Sequence, residues 1–233
     1  MYGIDTLSEY ASYFGLGQKT GIELLSESSG TVASKEVAEN SGNGWYVADT
    51  LSAAIGQSYN SFTPVQMAKY VSMLANGGND IDVTIIKSII NADGTEVSTD
   101  EISEYVNEKL GLEETEETSV TISSENLETV LEGMHAVTES GGTAYSTFKN
   151  FDIEVGGKTG SAQTGDDSAA HAWFVCFAPF DDPEIAIAVL VEHGGSGGYT
   201  APVAKAIMEE YFGMNSENVD EDTEAISSKE EAN

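Results

Sequence analysis

The chain has 233 residues, enough to bury the core of one or two domains, and 40% of them are hydrophobic. Its formal net charge is -31, and all nine basic residues are lysines. That balance excludes a nucleic-acid binder, which needs clustered basic side chains against phosphate, and disfavours adhesion to an anionic membrane surface. No stretch approaches the roughly 20 apolar residues of a membrane span. The opening Met-Tyr-Gly-Ile-Asp carries neither a basic nor an apolar region, so no secretory signal is expected. Cys176 is the single cysteine, which rules out an intrachain disulfide and leaves the compartment open.

In chain order, residues 5–15 predict an amphipathic helix with Leu7, Tyr10, Ala11 and Phe14 on one face, Asp5 or Thr6 as cap and Gly15 as stop. Leu24 to Asn43 is rich in Ser, Gly, Asn and Glu and predicts a long surface loop. Thr63-Pro64-Val65-Gln66 is the clearest helix start: Thr63 caps, Pro64 takes the first helical position and Gln66 completes a capping box. That helix runs through Met67, Tyr70, Val71 and Leu74 to the stop at Asn76-Gly77-Gly78. Val83 to Ile90 predicts a strand, and Ala92-Asp93-Gly94-Thr95 a hairpin turn. Residues 96–118 form an acidic insertion with a short helix around Ile102–Leu110. Ser124 to about Thr138 predicts a helix burying Leu127, Val130, Leu131, Met134 and Val137, with His135 on its polar side.

Strands are expected at 152–160, 171–178 and 184–193, antiparallel because their connections are short. A helix from Pro202 carries Ala204, Ile207, Met208 and Tyr211. From residue 214 to 233 large apolar residues vanish and acids dominate, which predicts a disordered acidic tail. The fold class is α+β, an antiparallel sheet with helices packed on it.

The stretch Asp152 to Gly165 stands out. Its Lys158-Thr159-Gly160-Ser161 places an ammonium and a hydroxyl on a strand beside a residue with no side chain. Those groups suit holding a carboxylate while an extended peptide lies along the strand edge. A phosphate-binding loop would need a glycine where Asp152 stands, and Gly160 and Gly165 oppose the helix it requires. Lys19-Thr20-Gly21 repeats the tripeptide without a β scaffold and reads as structural. His171, His193 and Glu192 lack metal-ligand spacing and read as ordinary strand-end residues, Cys176 as a core thiol, and Trp173, Phe174 and Phe177 as core or cleft-wall aromatics.

Taken together and in order, several segments resemble the C-terminal half of a class B penicillin-binding transpeptidase domain, of the penicillin-binding and serine β-lactamase-like superfamily. They are Phe14-Gly-Leu-Gly-Gln-Lys-Thr-Gly-Ile-Glu-Leu24, Ile55-Gly-Gln57, Thr63-Pro-Val-Gln-Met-Ala68, Asn76-Gly-Gly78 and Gly133-Met134. Gly142-Thr-Ala144, Gly157-Lys-Thr-Gly-Ser-Ala-Gln163, His171-Ala-Trp-Phe174 and Ala201-Pro202 complete the set. The resemblance covers residues 1–213, with 96–118 as the poorly matched insertion. It implies a partial β-lactamase-like fold, and a D,D-transpeptidase that cross-links peptidoglycan stem peptides through an acyl-serine intermediate and is acylated by β-lactams.

By the same resemblance, Lys158 and Thr159 would hold the substrate carboxylate, with Lys158 also supporting the serine's proton network. Gly160 would leave room for the peptide, and the Ser161 N–H would serve the oxyanion hole. No metal or other cofactor is implied, and the full-length protein would be anchored on the outer face of the bacterial cytoplasmic membrane. The family's S-x-x-K and S-x-N motifs should precede K-T-G and are missing from that order. Ser146-Thr-Phe-Lys149, Ser41-Gly-Asn43 and Ser58-Tyr-Asn60 are look-alikes in the wrong places. The chain therefore reads as a fragment, inactive alone, that is completed by the missing N-terminal part or covered as a homodimer. The alternative is a non-catalytic sensing module of the same fold.

Overall fold

A computed structural model describes residues 3–111, 121–165 and 167–214. Three strands, β1 (Gly156–Ala162), β2 (His171–Ala178) and β3 (Ile185–Val191), form one antiparallel sheet in the order β1-β2-β3. Gly156 pairs with Phe177 and Ala162 with His171 across the first ladder, and Ala172 with Val191 across the second. The short connections read from the sequence leave no other arrangement, although β1 begins four residues later than the alternation around Ile153 suggests. β2 is buried almost from end to end because helices cover both faces of the sheet. Its Phe174 and Phe177 point to opposite faces and are fully buried, each contributing about 1.5–3 kcal/mol.

On one face lie Phe174, Cys176, Ile187 and Val189. Against them pack Ala144, the N-cap of the short helix Tyr145–Phe148, and Phe148 at its end, together with Ala201, Ala204 and Met208 of the C-terminal helix Ala201–Tyr211. On the other face Val175 and Phe177 meet Val71 and Leu74 of helix Pro64–Ala75 and Met134 of helix Ser124–His135. These two helices cover only the half of that face nearest Phe177. The remaining half, with Trp173 and Leu190, stays open.

Helix Pro64–Ala75 is set by its predicted capping box: Thr63 Oγ1 accepts from the Gln66 N–H, and Gln66 Oε1 accepts from the Thr63 N–H. The same Gln66 side chain, 1% exposed, donates to the carbonyls of Gln18 and Ser29 at 2.6 and 2.7 Å and so fixes the preceding loop. The first helix spans Ile4–Tyr13 with Gly3, rather than Asp5 or Thr6, at its N-cap.

Several expectations need correction. The stretch 24–43 is not all loop: Ser34 caps a helix at Lys35–Asn40, accepting from the Val37 N–H. A further helix, Val47–Ala54, was not expected from the sequence and buries no residue. Val83–Ile90 is not a strand. Only Ile90 bridges, to Glu96, around the expected turn at Gly94, while the Glu23 carboxylate takes the Thr84 hydroxyl and the Ile85 N–H. The insertion does hold a helix, Thr99–Leu110, and residues 112–118 and the acidic tail beyond Met214 lie outside the described residues.

Two side chains also differ from expectation. Val130 is 47% exposed rather than buried. His135 is not simply solvated, because its ring stacks on Phe180 at 4.4 Å beside Glu139 and Glu154.

Cys176 is fully buried at the centre of the sheet, and burial pushes its thiol well above the ordinary cysteine range. A maleimide reagent should therefore leave the native chain unmodified at neutral pH and label it stoichiometrically in urea. Rapid labelling without denaturant would show that the centre of β2 is not packed as described.

Candidate active-site cleft

The uncovered half of the sheet forms the floor of a cleft of about 550 Å³. Lys158, Gly160, Trp173 and Leu190 lie along it, and Gly56, Gln57, Ser58 and Phe62 form the facing wall. The cleft opens at β1, one of the two edge strands of the sheet among the described residues. Successive strand residues face opposite ways, so Lys158 and Gly160 share the cleft face with Val175 and Trp173. Thr159 and Ser161 share the other face with Phe174 and Ala172. A single anion can reach both the Lys158 ammonium and the Thr159 hydroxyl only by sitting at the edge itself.

Two side-chain contacts show which backbone groups point outward. Lys158 Nζ donates to the Thr159 carbonyl at 2.6 Å, and Gln57 Nε2 donates to the Ser161 carbonyl at 3.4 Å. In an antiparallel pair alternate residues face the neighbouring strand, so Thr159 and Ser161 turn both their N–H and C=O toward the open edge. Lys158 has no carboxylate partner among the described residues, and its side chain is exposed.

The back of this edge is closed by the glycine-rich loop 194–198. The Gly197 N–H donates to Ser161 Oγ at 3.2 Å. A β-carbon on Gly197 would stand 2.4 Å from the Gly160 carbonyl oxygen and 2.6 Å from the Trp173 oxygen, so only glycine permits this approach. Thr159 Oγ1 lies 2.8 Å from Thr143 Oγ1. Neither Gln57 nor Thr143 was singled out as a site residue from sequence. Both lie in family-like segments, Ile55-Gly-Gln57 and Gly142-Thr-Ala144, and that was the only signal available.

The second Lys-Thr-Gly is structural, as expected. Glu27 accepts from the Thr20 N–H and hydroxyl at 2.7 and 2.6 Å and from the Gly21 N–H at 3.2 Å. Thr20 is buried, so this tripeptide grips a carboxylate of its own chain and offers nothing to a ligand.

The serine look-alikes form no catalytic pair. Ser146 lies in helix Tyr145–Phe148, and that helix is anchored by Phe148 against Phe174, on the face away from Lys158. Ser41 Oγ donates to the Val37 carbonyl. Ser58 does line the cleft, but Asn60 is occupied by the Ala33 N–H and the Ala53 carbonyl. His171 and His193 contact one another, with the His193 N–H donating to His171 Nδ1 at 3.1 Å. No group of three or more His, Cys, Asp or Glu among the described residues could hold a metal ion.

The sequence profile of the Penicillin binding protein transpeptidase domain matches residues 1–209. The chain belongs to that family. It is 28% identical over 246 residues to the peptidoglycan D,D-transpeptidase MrdA of Haemophilus influenzae, covering 98% of this chain and 36% of that protein. It is 30% identical over 238 residues to penicillin-binding protein 2A of Bacillus subtilis, covering 94% of this chain and 30% of the relative. Among solved structures, Pseudomonas aeruginosa PBP2 in complex with WCK 5153 superposes with a TM-score of 0.74 at 33% identity, over 90% of this chain and 44% of that one. PBP2 of Helicobacter pylori in complex with MreC gives 0.71 at 27% identity, over 91% and 36%. The chain thus spans about a third of the length of the curated relatives it matches.

The contact between Gly197 and Gly160 is testable. Gly197→Ala forces backbone apart and should cost about 1–3 kcal/mol, as overpacking does. Gly198→Ala meets nothing nearer than 3.8 Å and should be close to neutral. Urea midpoints of the two variants check this; equal midpoints would mean that the loop is not seated on β1.

Proposed function

We propose that this chain supplies the substrate-binding wall of a peptidoglycan D,D-transpeptidase. Lys158 and Thr159 grip the terminal carboxylate of a stem peptide, or the carboxylate of a β-lactam, at the edge of β1. Gly160 leaves room for the extended peptide, and the Ser161 N–H donates to the oxyanion of the acyl intermediate. Such a donor is worth about 2.7–4 kcal/mol. The observation that carries this reading is that Lys158 and Thr159 flank a free strand edge whose outward groups belong to Thr159 and Ser161.

The attacking serine and its lysine lie in polypeptide outside these 233 residues. A second surface supports that view. Val47, Leu51 and Ile55, spaced one helical turn apart, are between 67 and 79% exposed, and Ile55 lines the cleft. An apolar stripe of this kind beside an open cleft fits coverage by the half of the domain that carries the nucleophile. In the complete protein that half would lie toward a membrane anchor, with the site on the outer face of the cytoplasmic membrane. No helix among the described residues is long and apolar enough to cross a membrane.

Intact-mass analysis after incubation with a fluorescent penicillin tests the assignment. The chain alone should carry no adduct. A stoichiometric adduct, above all on Ser146, would place the nucleophile inside the chain. Sedimentation at high concentration tests the alternative cover: a monomer excludes a second copy on the Val47–Ile55 stripe, and a dimer buried there would support it.

A further inference from the structure

The clamp proposed above does not use Gly142-Thr143-Ala144, yet the fold holds this turn firmly against the site. The Gly142 N–H donates to the Glu139 carbonyl at 2.8 Å, and the Ala144 N–H to the Val137 carbonyl at 2.9 Å. A β-carbon on Gly142 would stand 2.2 Å from the Val137 carbonyl oxygen, so the turn closes on the helix end only with glycine there. Ala144 is 1% exposed in the core under β2. Between these two anchors Thr143 is exposed, and its Oγ1 lies 2.8 Å from Thr159 Oγ1.

We propose that Thr143 is a positioning residue for the carboxylate clamp, donating its hydroxyl proton to Thr159 Oγ1 so that the Thr159 hydroxyl is turned outward to donate to the ligand carboxylate. A threonine hydroxyl carries one proton and two lone pairs. An ionised carboxylate is an acceptor only, so Thr159 must spend its single proton on the ligand. Its oxygen is then left to accept, and Thr143 is the donor within reach. The order of the chain is therefore fixed when ligand is bound: Thr143 to Thr159 to carboxylate. Consecutive hydrogen bonds polarise one another, which strengthens the outer one. A free Thr159 hydroxyl would rotate among staggered positions, whereas the paired one is held with its proton toward the edge.

The inference rests on the carboxylate-clamp reading, and the test separates the two. The measurement is the acylation rate constant of the full-length transpeptidase carrying this chain, with a penicillin bearing its free carboxylate and with the methyl ester of the same penicillin. Thr143→Val should lower the rate with the free acid by about three- to tenfold, the range of one neutral hydrogen bond, and leave the rate with the ester unchanged. Thr143→Ser should restore the rate with the free acid. In a Thr159→Val background, Thr143→Val should cost nothing further.

A normal rate for Thr143→Val beside a reduced rate for Thr159→Val would overturn the role of Thr143 and leave the clamp standing. Equal losses with acid and ester would reduce Thr143 to a structural part of the turn. If Thr159→Val and Lys158→Ala also acylate normally with the free acid, the clamp itself fails and Thr143 with it. Melting temperatures of the variants show whether a lost rate reflects a lost fold.

Discussion

The structure depends on one asymmetry: β2 is buried on both faces while its neighbour β1 keeps an unpaired edge. Burial of Phe174 on one side and Phe177 on the other fixes the plane of β2, and the ladder transmits that rigidity to Lys158 through Ser161. An edge strand with outward N–H and C=O groups is normally a hazard, since it invites pairing with any other strand. Here part of the edge is already occupied by the Lys158 and Gln57 side chains on the Thr159 and Ser161 carbonyls. The same groups are what an incoming extended peptide would use, so the edge is protected by contacts that a ligand can exchange.

Charge places a second constraint on the site. A chain with a formal net charge of -31 repels anions at long range, but salt screens that field beyond about 8 Å at physiological ionic strength. Recognition of a carboxylate by the proposed clamp would then fall to local groups, and among the described residues Lys158 is the one lysine lining the cleft. The two Lys-Thr-Gly tripeptides show how completely context decides. At Thr20 the backbone and hydroxyl donors are buried and satisfied by Glu27. At Thr159 they lie on an open edge, with a second hydroxyl behind them and, among the described residues, no carboxylate bonded to them.

Much of this was legible in the sequence, and the misses have physical causes. The capping box at Thr63 and Gln66 and the three strands are encoded by local chemistry and short connections, and they stand where the sequence puts them except that β1 starts four residues later. Val83–Ile90 has the composition of a strand but, among the described residues, no partner to complete a ladder, and the Glu23 carboxylate takes the Thr84 and Ile85 donors. Helix Val47–Ala54 was missed although Val47, Leu51 and Ile55 recur at helical spacing, because the stripe is short and sits between Gly44 and Gly56. Lys158 and Thr159 could be named from their tripeptide and its β surroundings. Thr143 and Gln57 could not, because each gains its meaning from a contact across the fold: 16 residues in one case and 104 in the other.

The most direct measurement of the central claim is a crystal structure of the full-length protein acylated by a penicillin. The drug carboxylate should lie between Lys158 Nζ and Thr159 Oγ1, with the acyl oxygen at the Ser161 N–H and an ester to a serine outside residues 1–233. A carboxylate held elsewhere, or an ester to any serine within these residues, would contradict that claim.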